Sequence, residues 1–406
     1  PGERYTYDPQ RPPAIEPQTC TFAGFPRPGG GAGTRNEIWI IPTVGCVNKL
    51  AERIAAAGQG LTGGALEGIY AYPHPYGCSQ LGEDHVHTQQ TLKGLVNHPN
   101  AAGVLVLGLG CENNNIPAFQ DILGRWDTDR VKFLNAQDAP DEIAAGLALL
   151  AELAGYAKEQ KREPIDACKL IIGLKCGGSD GLSGITANPL AGRISDRMTA
   201  CGGAAILTEV PEMFGAEALL MDRCVSEGVF HRTAALIDGW KDYYTRHGQQ
   251  ISENPSPGNK AGGITTLEDK SLGCVQKGGT SPVTAVLHTG ERAAPGLSLL
   301  SGPGNDMVAV TELCAAGAQI ILFTTGRGTP LGAPVPTLKI SSNTALYRRK
   351  PGWIDFDAGR LIGGRSMDAL SDELWRLTLD TASGRETRNE QNGYREIAIF
   401  KDGVTL

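Results

Sequence analysis

Short apolar segments alternate along the chain with longer amphipathic ones from Glu37 onward. The apolar segments, with the length and composition of buried parallel strands, are residues 38–41, 68–72, 103–107 and 131–134. Between them, apolar residues recur at helical spacing. Residues 138–142 combine a capping aspartate, a proline and an acidic first turn, which indicates the start of a helix. This alternation predicts a first α/β domain with a mainly parallel sheet.

A polar segment, residues 158–164, ends this pattern, and a second series of strands and helices follows it. The second series predicts a long helix over about 216–247 and strands near 169–174, 204–208, 283–288 and 319–324. We therefore expect two α/β domains, 36–163 and 164–406, each a mainly parallel sheet flanked by helices, Rossmann-like without a dinucleotide fingerprint. Residues 1–35 are rich in Pro and Gly and predict an N-terminal arm or linker.

Charge and composition exclude several classes of protein. The chain has 37 Lys and Arg against 44 Asp and Glu, a net charge of −7, which disfavours a nucleic-acid partner. Its longest apolar stretch, 101–111, is far short of the ~20 residues that a membrane helix needs. The 54 glycines are about twice the usual share and favour loops that approach a ligand. Ten cysteines without a C-x-x-C pair argue against zinc ribbons and favour a reducing cytoplasm.

A Gly-Cys pair follows each of the first three predicted strands, at Cys46, Cys78 and Cys111. The spacings of 32 and 33 residues match one strand-plus-helix unit, so neighbouring parallel strands would bring the three thiols into one crevice. Three thiolates suit a soft metal or an iron–sulfur centre, whereas the alternative is that small cysteines only pack at strand ends. His74 and Glu112, near Cys78 and Cys111, are candidate metal ligands or acid–base groups.

Three glycine-rich loops in the second half suit an anionic, hydroxylated ligand. The turn at 175–189 brings backbone N–H groups and small hydroxyls together, and it fits neither G-x-G-x-x-G nor a P-loop, so we expect no nucleotide cofactor. The loops at 254–263 and 324–330 each add one cation, Lys260 and Arg327. Such groups would bind the carboxylate and hydroxyls of a sugar acid, although ordinary strand–helix packing would also explain the turn.

Nine segments together carry the pattern of a known family: 33–37, 42–48, 76–82, 108–113, 177–189, 208–215, 254–277, 325–330 and 389–406. On these segments, nearly the whole chain from Arg35 onward resembles the altronate/galactarate dehydratase family. The resemblance implies an iron-dependent hydro-lyase of hexuronate catabolism that removes water from D-altronate to give 2-keto-3-deoxy-D-gluconate. Galactarate dehydratase, the large subunit of a sulfolactate sulfo-lyase, a sugar-acid-binding protein and a cysteine-nucleophile transferase are the alternatives.

The resemblance and the loop chemistry together give a set of expected site residues. The expected metal ligands are Cys46, Cys78 and Cys111, and the expected catalytic residues are His74, Glu112, Asp180 and Lys260. The expected substrate-binding residues are Arg35, Asn36, Gly178, Ser179, Thr186, Asn188, Asn259, Arg327 and Thr329. Either Asp180 or Lys260 would be the base that takes the proton alpha to the carboxylate, and iron would act as Lewis acid on the leaving hydroxyl.

The expected cofactor is iron, as a single Fe2+ ion or as a [4Fe–4S] cluster held by three cysteines, with no nucleotide. The expected partner is a small sugar-acid substrate bound in the cleft between the two domains. We also expect a homo-oligomer, and a small N-terminal domain that is separate from this chain or removed from it, as the family pattern implies. No nucleic-acid or membrane partner is expected.

Overall fold

The computed structural model describes residues 5–10, 16 and 18–406. The strands are β1 Thr21–Pro26, β2 Ala32–Gly33, β3 Glu37–Pro42, β4 Gly68–Ala71, β5 Ala101–Gly108, β6 Val131–Asn135, β7 Glu163–Asp166, β8 Ile171–Cys176, β9 Ala204–Leu207, β10 Val283–Leu287, β11 Gly296–Leu300, β12 Ile320–Thr325, β13 Thr337–Ser341 and β14 Phe356–Asp357. The helices are α1 Asn48–Gly58, α2 Gly82–Val96, α3 Ile116–Leu123, α4 Glu142–Glu159, α5 Ala187–Ala200, α6 Ala218–Met221, α7 Glu227–Arg246, α8 Pro257–Ala261, α9 Leu267–Val275, α10 Asp306–Ala315, α11 Thr344–Arg349, α12 Met367–Ala382 and α13 Arg388–Gln391.

The first parallel sheet has the order β4-β3-β5-β6. Both of its faces are covered, which explains why its strands are continuously apolar. Ile38 and Ile40 of β3 belong to the core beneath α1 and α4. Trp39 and Ile41 point to the other face, where the core includes residues of α2 and α3. The alternation of these four side chains fixes the register of the central strand.

The second parallel sheet is larger, with seven strands in the order β10-β11-β9-β8-β12-β13-β14. Its α5 and α12 side chains pack in one core, and its α10 side chains pack in the other core, which also contains those of α2. Helices α2 and α10 approach closely because Gly94 has no side chain: a Cβ there would lie 2.5 Å from Ala315 O. The two parallel sheets therefore share one hydrophobic core, and the predicted α/β fold class with parallel sheets is confirmed.

A small antiparallel sheet, β2-β1-β7, differs from the arm expected over residues 1–35. Phe22 and Phe25 of β1 are buried, and β1 pairs with β7, which lies in and just after the polar segment at 158–164. The strand is short and flanked by Pro and Gly, so the sequence offers little alternation from which to predict it. The division of the chain near residue 163 stays a prediction.

The expected long helix over 216–247 is two helices, α6 and α7, because Ser226 caps a new start: its side chain accepts a hydrogen bond from Val229 N (3.3 Å). Cys224 consequently lies between the helices and not within one. Strands β11, β13 and β14 were not expected from the sequence. Among the helices of the described part of the chain, none is both long and apolar enough to cross a membrane.

Candidate functional site

The three Gly-Cys pairs follow three strands that are direct neighbours in the first parallel sheet. Cys46, Cys78 and Cys111 come after β3, β4 and β5, and the sheet order places β3 between the other two. All three thiols are free and exposed. Their exposure argues against the alternative that they only pack at strand ends. The thiols therefore stand at the carboxyl edge of one sheet, where ligands of parallel α/β folds bind.

Backbone hydrogen bonds tie the three thiol-bearing loops together. Gly45 N donates to Tyr76 O (2.9 Å), and Asn114 N donates to Gly77 O (2.9 Å). The approach depends on Gly77, whose φ of +98° is left-handed and whose Cβ, if present, would lie 1.9 Å from Thr43 O. The sequence at this edge is thus shaped to bring the loops of Cys46 and Cys78 into contact.

The spacing of these thiols limits what metal they could hold. Among the described residues, the three sulfur atoms do not form a group in which every pair lies within 4.8 Å. Thiolates on one tetrahedral ion, with metal–sulfur bonds of about 2.3 Å, would lie roughly 4 Å apart. An iron–sulfur cluster is larger and needs its thiolates farther apart. In this structure the three thiols are therefore not drawn together as closely as one tetrahedral ion requires.

His74 and Glu112 support the thiol-bearing loops and are occupied by them. His74 is buried, its Nε2 lies 2.8 Å from Pro42 O, and its Nδ1 accepts a hydrogen bond from Tyr76 N (3.2 Å). Desolvation lowers the pKa of His74 to about 4. Because both ring nitrogens are engaged by backbone groups, the structure differs from the expectation that His74 binds metal or transfers protons.

The Glu112 carboxylate accepts hydrogen bonds from Thr43 Oγ1 (2.7 Å), Gly110 N (2.7 Å) and Leu109 N (3.0 Å). Burial raises its pKa, but these hydrogen bonds outweigh burial and hold the pKa below its ordinary value. Glu112 is therefore an ionised group that orders the turn before Cys111. The structure gives it a positioning role where the sequence suggested a ligand or an acid–base group.

In the second parallel sheet, the loops after β8, β12 and β13 meet around Asp180. Its carboxylate accepts hydrogen bonds from Ser183 Oγ (2.9 Å), Ser342 Oγ (2.7 Å) and Asn343 Nδ2 (2.9 Å). The expected residues Gly178, Ser179, Asn259 and Arg327 join the same cluster. Gly178 O accepts from Gly326 N and Arg327 N (3.0 and 2.9 Å), and Asn259 Nδ2 donates to Ser179 O (3.0 Å).

Several other expected substrate-binding residues hold the fold together. Thr186 Oγ1 donates to Leu182 O and Ser342 O, Asn188 bonds Gly273 O and Thr324 Oγ1, and Thr329 Oγ1 accepts from Leu331 N. Lys260 is exposed at the end of α8. Asn188 lies in the first turn of α5 and Lys260 in α8, whereas Thr186 and Thr329 are loop residues. The side chains of Thr186 and Asn188 are committed to internal hydrogen bonds.

Arg35 and Asn36 differ most from their expected role. Arg35 forms a bidentate ion pair with Glu390 (2.7 and 2.9 Å), and Asn36 donates to Ala65 O and Ala157 O (2.9 and 2.8 Å). Both side chains are buried and precede β3, at the amino edge of the sheet. The edge that bears the thiols is the opposite one, so these internal contacts give no support to substrate binding by Arg35 and Asn36, which stays a prediction.

A buried ionic cluster that the sequence analysis missed lies beneath the Asp180 loops. It contains three lysines, Lys175, Lys270 and Lys277, and three acids, Glu209, Glu212 and Asp306. Lys270 Nζ lies 3.0 Å from Ser179 Oγ, 3.1 Å from Glu212 Oε1 and 3.5 Å from Cys176 Sγ. Lys175 pairs with Glu209 and with Asp306 (2.7 Å).

The charges of this cluster are strongly coupled. Desolvation opposes charge on Glu212, but Lys270 and Lys277 outweigh it and hold the pKa of Glu212 far below its ordinary value. Burial lowers the pKa of Lys270, yet the neighbouring thiols and Glu212 raise it well above the ordinary value. Desolvation raises the pKa of Glu209 to about 8. Lys270 therefore carries a fixed positive charge in a largely dehydrated place.

Two cavities border this cluster, and Lys270 lines both. One has a volume of ≈640 Å³ and is also lined by Gly178, Glu212 and Asp306. The other has a volume of ≈220 Å³ and is also lined by Asp180. The larger cavity has the size of an ordinary small-molecule site.

Comparison with known proteins identifies relatives of this chain. The C-terminal domain model of D-galactarate/altronate dehydratase matches residues 167–405, and the second-domain model of D-galactarate dehydratase/altronate hydrolase matches residues 24–158. Altronate dehydratase of Bacillus subtilis is 55% identical over 95% of this chain and 78% of its own length. The chain belongs to the D-galactarate/altronate dehydratase family.

Two more distant relatives have different names. Galactarate dehydratase (L-threo-forming) of Escherichia coli is 32% identical over 94% of this chain and 76% of its own length. The (2R)-sulfolactate sulfo-lyase subunit beta of Chromohalobacter salexigens is 33% identical over 94% of this chain and 97% of its own length. Membership of the D-galactarate/altronate dehydratase family confirms the expected class, a carbon–oxygen lyase that removes water from a sugar acid.

In this member of the dehydratase family, a group with metal-site geometry lies in the buried ionic cluster and not at the three exposed thiols. Ligand atoms of Cys176, Glu212 and Cys274 all lie within 4.8 Å of one another, so the chain contains a possible metal-binding Cys/Glu group. Lys270 and Lys277 lie 3.1 and 3.9 Å from Glu212, however, and already neutralise its charge. A divalent ion would have to displace or adjoin two ammonium groups, which disfavours a cation there.

One signal could have revealed the buried cluster. Lys175 interrupts an otherwise apolar strand, and an ionisable group inside a buried strand needs a partner of opposite charge. Glu209, the partner, lies two residues before a proline and adopts a left-handed φ of +69°, which is uncommon for a residue other than glycine. The two residues are 34 positions apart in the sequence, so the local pattern around either one does not reveal the pair.

Proposed function

We propose that this chain removes water from D-altronate to give 2-keto-3-deoxy-D-gluconate in a reducing cytoplasm. The assignment of altronate as the substrate rests on the difference in sequence identity among the relatives. The chain is 55% identical to an altronate dehydratase, but 32% identical to a galactarate dehydratase and 33% identical to a sulfo-lyase subunit. Altronate has one carboxylate, so a single cationic pocket is enough to bind its charged end.

Lys270 is the residue that we assign to the substrate carboxylate. Its ammonium lines both cavities of the second sheet. It already donates a hydrogen bond to Ser179 Oγ (3.0 Å), and a carboxylate oxygen of the substrate would bind beside that hydroxyl. Removing the proton alpha to a carboxylate adds a second negative charge to the substrate. A dehydrated cation stabilises that charge more strongly than one in water does, so Lys270 would favour the intermediate over the bound acid.

Asp180 is the better of the two predicted bases. It lines the same ≈220 Å³ cavity as Lys270, whereas Lys260 is exposed and lines neither of the two cavities. Ser183, Ser342 and Asn343 fix its carboxylate in one orientation, which a base needs in order to face the substrate. Arg327 and Asn259, from the neighbouring loops, would surround the hydroxyl-bearing carbons.

Iron would be held by Cys46, Cys78 and Cys111, as a [4Fe–4S] cluster with three protein thiolates. Bound there, the iron would supply a Lewis acid for the leaving hydroxyl. His74 and Glu112 would keep the three loops in place by their backbone hydrogen bonds. A single ferrous ion is the second candidate, because the three sulfur atoms do not all lie within 4.8 Å of one another, as the ligands of one tetrahedral ion would.

The two site halves would act on one substrate because both face the same way. Helices α2 and α10 begin at the carboxyl edges of the two sheets, close after Cys78 and beside the larger cavity. They run side by side in the same direction, since Thr91 contacts Glu312 (3.1 Å) and Gly94 contacts Ala315. This arrangement supports a cleft between the two α/β units as the place of reaction.

Anaerobic purification with iron and sulfide analysis tests the cluster. The variants Cys46→Ser, Cys78→Ser and Cys111→Ser should each lose most of their iron and sulfide, and with them the activity. Cys224→Ser is the control, since this thiol is buried between α6 and α7 and contacts Thr233. Full iron content in all three variants would refute the thiolate site.

A substrate panel tests the reaction. Altronate should turn over with a higher kcat/KM than galactarate, other hexonates or sulfolactate, and the product should be a 2-keto-3-deoxy acid. Release of sulfite from sulfolactate at a higher rate than loss of water from altronate would contradict the proposal in favour of the sulfo-lyase alternative.

A further inference from the structure

Four arginines gather at the amino edge of the first parallel sheet, far from the thiols. Arg27, Arg125, Arg130 and Arg292 line a cavity of ≈580 Å³. Arg130 directly precedes β6, and the carboxyl edge with Cys111 lies at the other end of the strands. Since β5 has eight residues, the two edges are about 26 Å apart. The arginine cavity is therefore separate from the cleft assigned to the substrate.

The positive charge of this cavity has little compensation. Among the described residues, none of the four guanidinium groups has a carboxylate oxygen within 4.0 Å. One acid, Asp127, lines the cavity, and its Oδ1 accepts a hydrogen bond from Asp129 N (2.9 Å). Arg27 and Arg130 are half-buried, and Arg125 and Arg292 are exposed. Like charges brought together in this way repel one another, which favours a bound counter-ion.

Two of the arginines are held in place by neutral groups. Arg27 donates to Pro99 O (2.7 Å) and Arg35 O (2.9 Å), and Arg130 donates to His98 O (2.9 Å) and Ala101 O (3.0 Å). Carbonyl oxygens fix the direction of a guanidinium without neutralising its charge. Desolvation and the neighbouring arginines lower the pKa values of Arg27 and Arg130 to about 10, in keeping with the missing counter-charge.

The other wall of the cavity is formed by a glycine turn and an arginine without a polar contact. Gly29 and Gly30 have φ values of +82° and +83°, and no atom lies within 4 Å of the place where either Cβ would be. Arg292, from the segment between β10 and β11, lies against Gly31, with NH2 3.7 Å from where its Cβ would be. Among the described residues its guanidinium makes no hydrogen bond, so it can turn toward a ligand.

We propose that this arginine cavity binds a small, multiply charged oxyanion, either a phosphate ester or a polycarboxylate. Guanidinium groups bind both kinds of oxyanion through paired N–H donors, and a volume of ≈580 Å³ leaves room for an organic body beside the charged group. The ligand would join three parts of the chain: the glycine turn, the first sheet, and the second sheet through Arg292. It would therefore stabilise the junction between the two sheets.

Isothermal titration of the 406-residue chain with sodium pyrophosphate and with citrate, at matched ionic strength, tests this proposal. We expect saturable binding of one anion per chain, and a rise in its Kd of about tenfold or more in Arg292→Gln. Arg349→Gln is the matched control, because this arginine is exposed at the end of α11 and lines no part of the cavity. Both variants should keep the melting temperature of the ligand-free chain.

The preferred anion identifies the ligand class: tighter binding of pyrophosphate indicates phosphate esters, and tighter binding of citrate indicates polycarboxylates. Absence of saturable binding of either anion overturns the proposal. Equal Kd values for Arg292→Gln and Arg349→Gln also overturn it, because the binding would then lie elsewhere on the chain.

Discussion

Replacing Gly77 by alanine should separate the loops that carry Cys46 and Cys78. An added Cβ would lie 1.9 Å from Thr43 O, whereas ordinary contacts of this kind begin at 3.4 Å. The backbone would therefore have to move by about 1.5 Å, which exceeds what a packed loop absorbs by small adjustments. The substitution removes none of the three cysteines. It changes only the distance between their thiols.

The cost can be worked out from the contacts of this turn. Holding an alanine at a φ of +98° costs about 1–2 kcal/mol. The movement also stretches the bonds from Gly45 N to Tyr76 O and from Asn114 N to Gly77 O, each with a net value of about 1 kcal/mol. The total destabilisation should be roughly 2–5 kcal/mol, concentrated in the thiol-bearing loops.

Gly63→Ala is a matched control from the same part of the chain. Gly63 also has a positive φ, +116°, but no atom lies within 4 Å of the place of its Cβ. The control therefore carries the backbone strain without the collision. Both variants should be purified anaerobically and compared for iron per chain, activity and melting temperature. Iron content and activity in Gly77→Ala equal to those in Gly63→Ala would refute the reasoning that this close approach builds the site.

Three further predictions concern charge, pH and oxygen. Lys270→Met should lower kcat/KM by at least about tenfold, because it removes a buried cation from both cavities. Lys260→Met, the control, should have little effect. Steady-state kinetics checks both variants, and equal losses of kcat/KM would contradict the prediction. Between pH 6.5 and about 4 the unfolded chain binds a proton at His74 that the folded chain excludes, so stability should fall as the pH falls through this range. Melting curves of His74→Gln should show a smaller fall, by up to about 3 kcal/mol, and an unchanged slope would contradict the assignment. Air should abolish activity, and ferrous iron with a thiol should restore it; activity that survives air in full would argue against an oxygen-sensitive cluster.

The sequence predicted most of the first sheet because its strands are buried on both faces. A strand such as β5 is apolar throughout, and the regular spacing of the Gly-Cys pairs indicated a repeated strand-plus-helix unit. Strand β13 was missed for the opposite reason. It contains Lys339, a charged residue that makes the strand look exposed in the sequence, although its ammonium is buried and donates to Thr329 O and Leu331 O (2.7 and 2.5 Å).

The candidate site was predicted as far as it depends on local sequence. The loops around Asp180 and the thiols at strand ends follow from glycine-rich segments after apolar strands. The ionic cluster of Lys270 does not, because it unites α9 with the strands β8 and β9 from distant parts of the chain. The same difficulty explains Arg35, whose partner Glu390 is 355 residues away. A charged residue shows its role only when its partner is known.

The close packing of α2 against α10 at Gly94 determines which parts of the molecule can move during turnover. With one continuous core between the sheets, a hinge that opens and closes the two halves would have to expose buried side chains at every cycle. We therefore expect product release to depend on the loop that borders the larger cavity, 254–263. Exchange of this loop among relatives would then change which sugar acid enters and leaves, while the helix pair keeps the proposed iron-binding half and the proposed carboxylate-binding half at a constant separation.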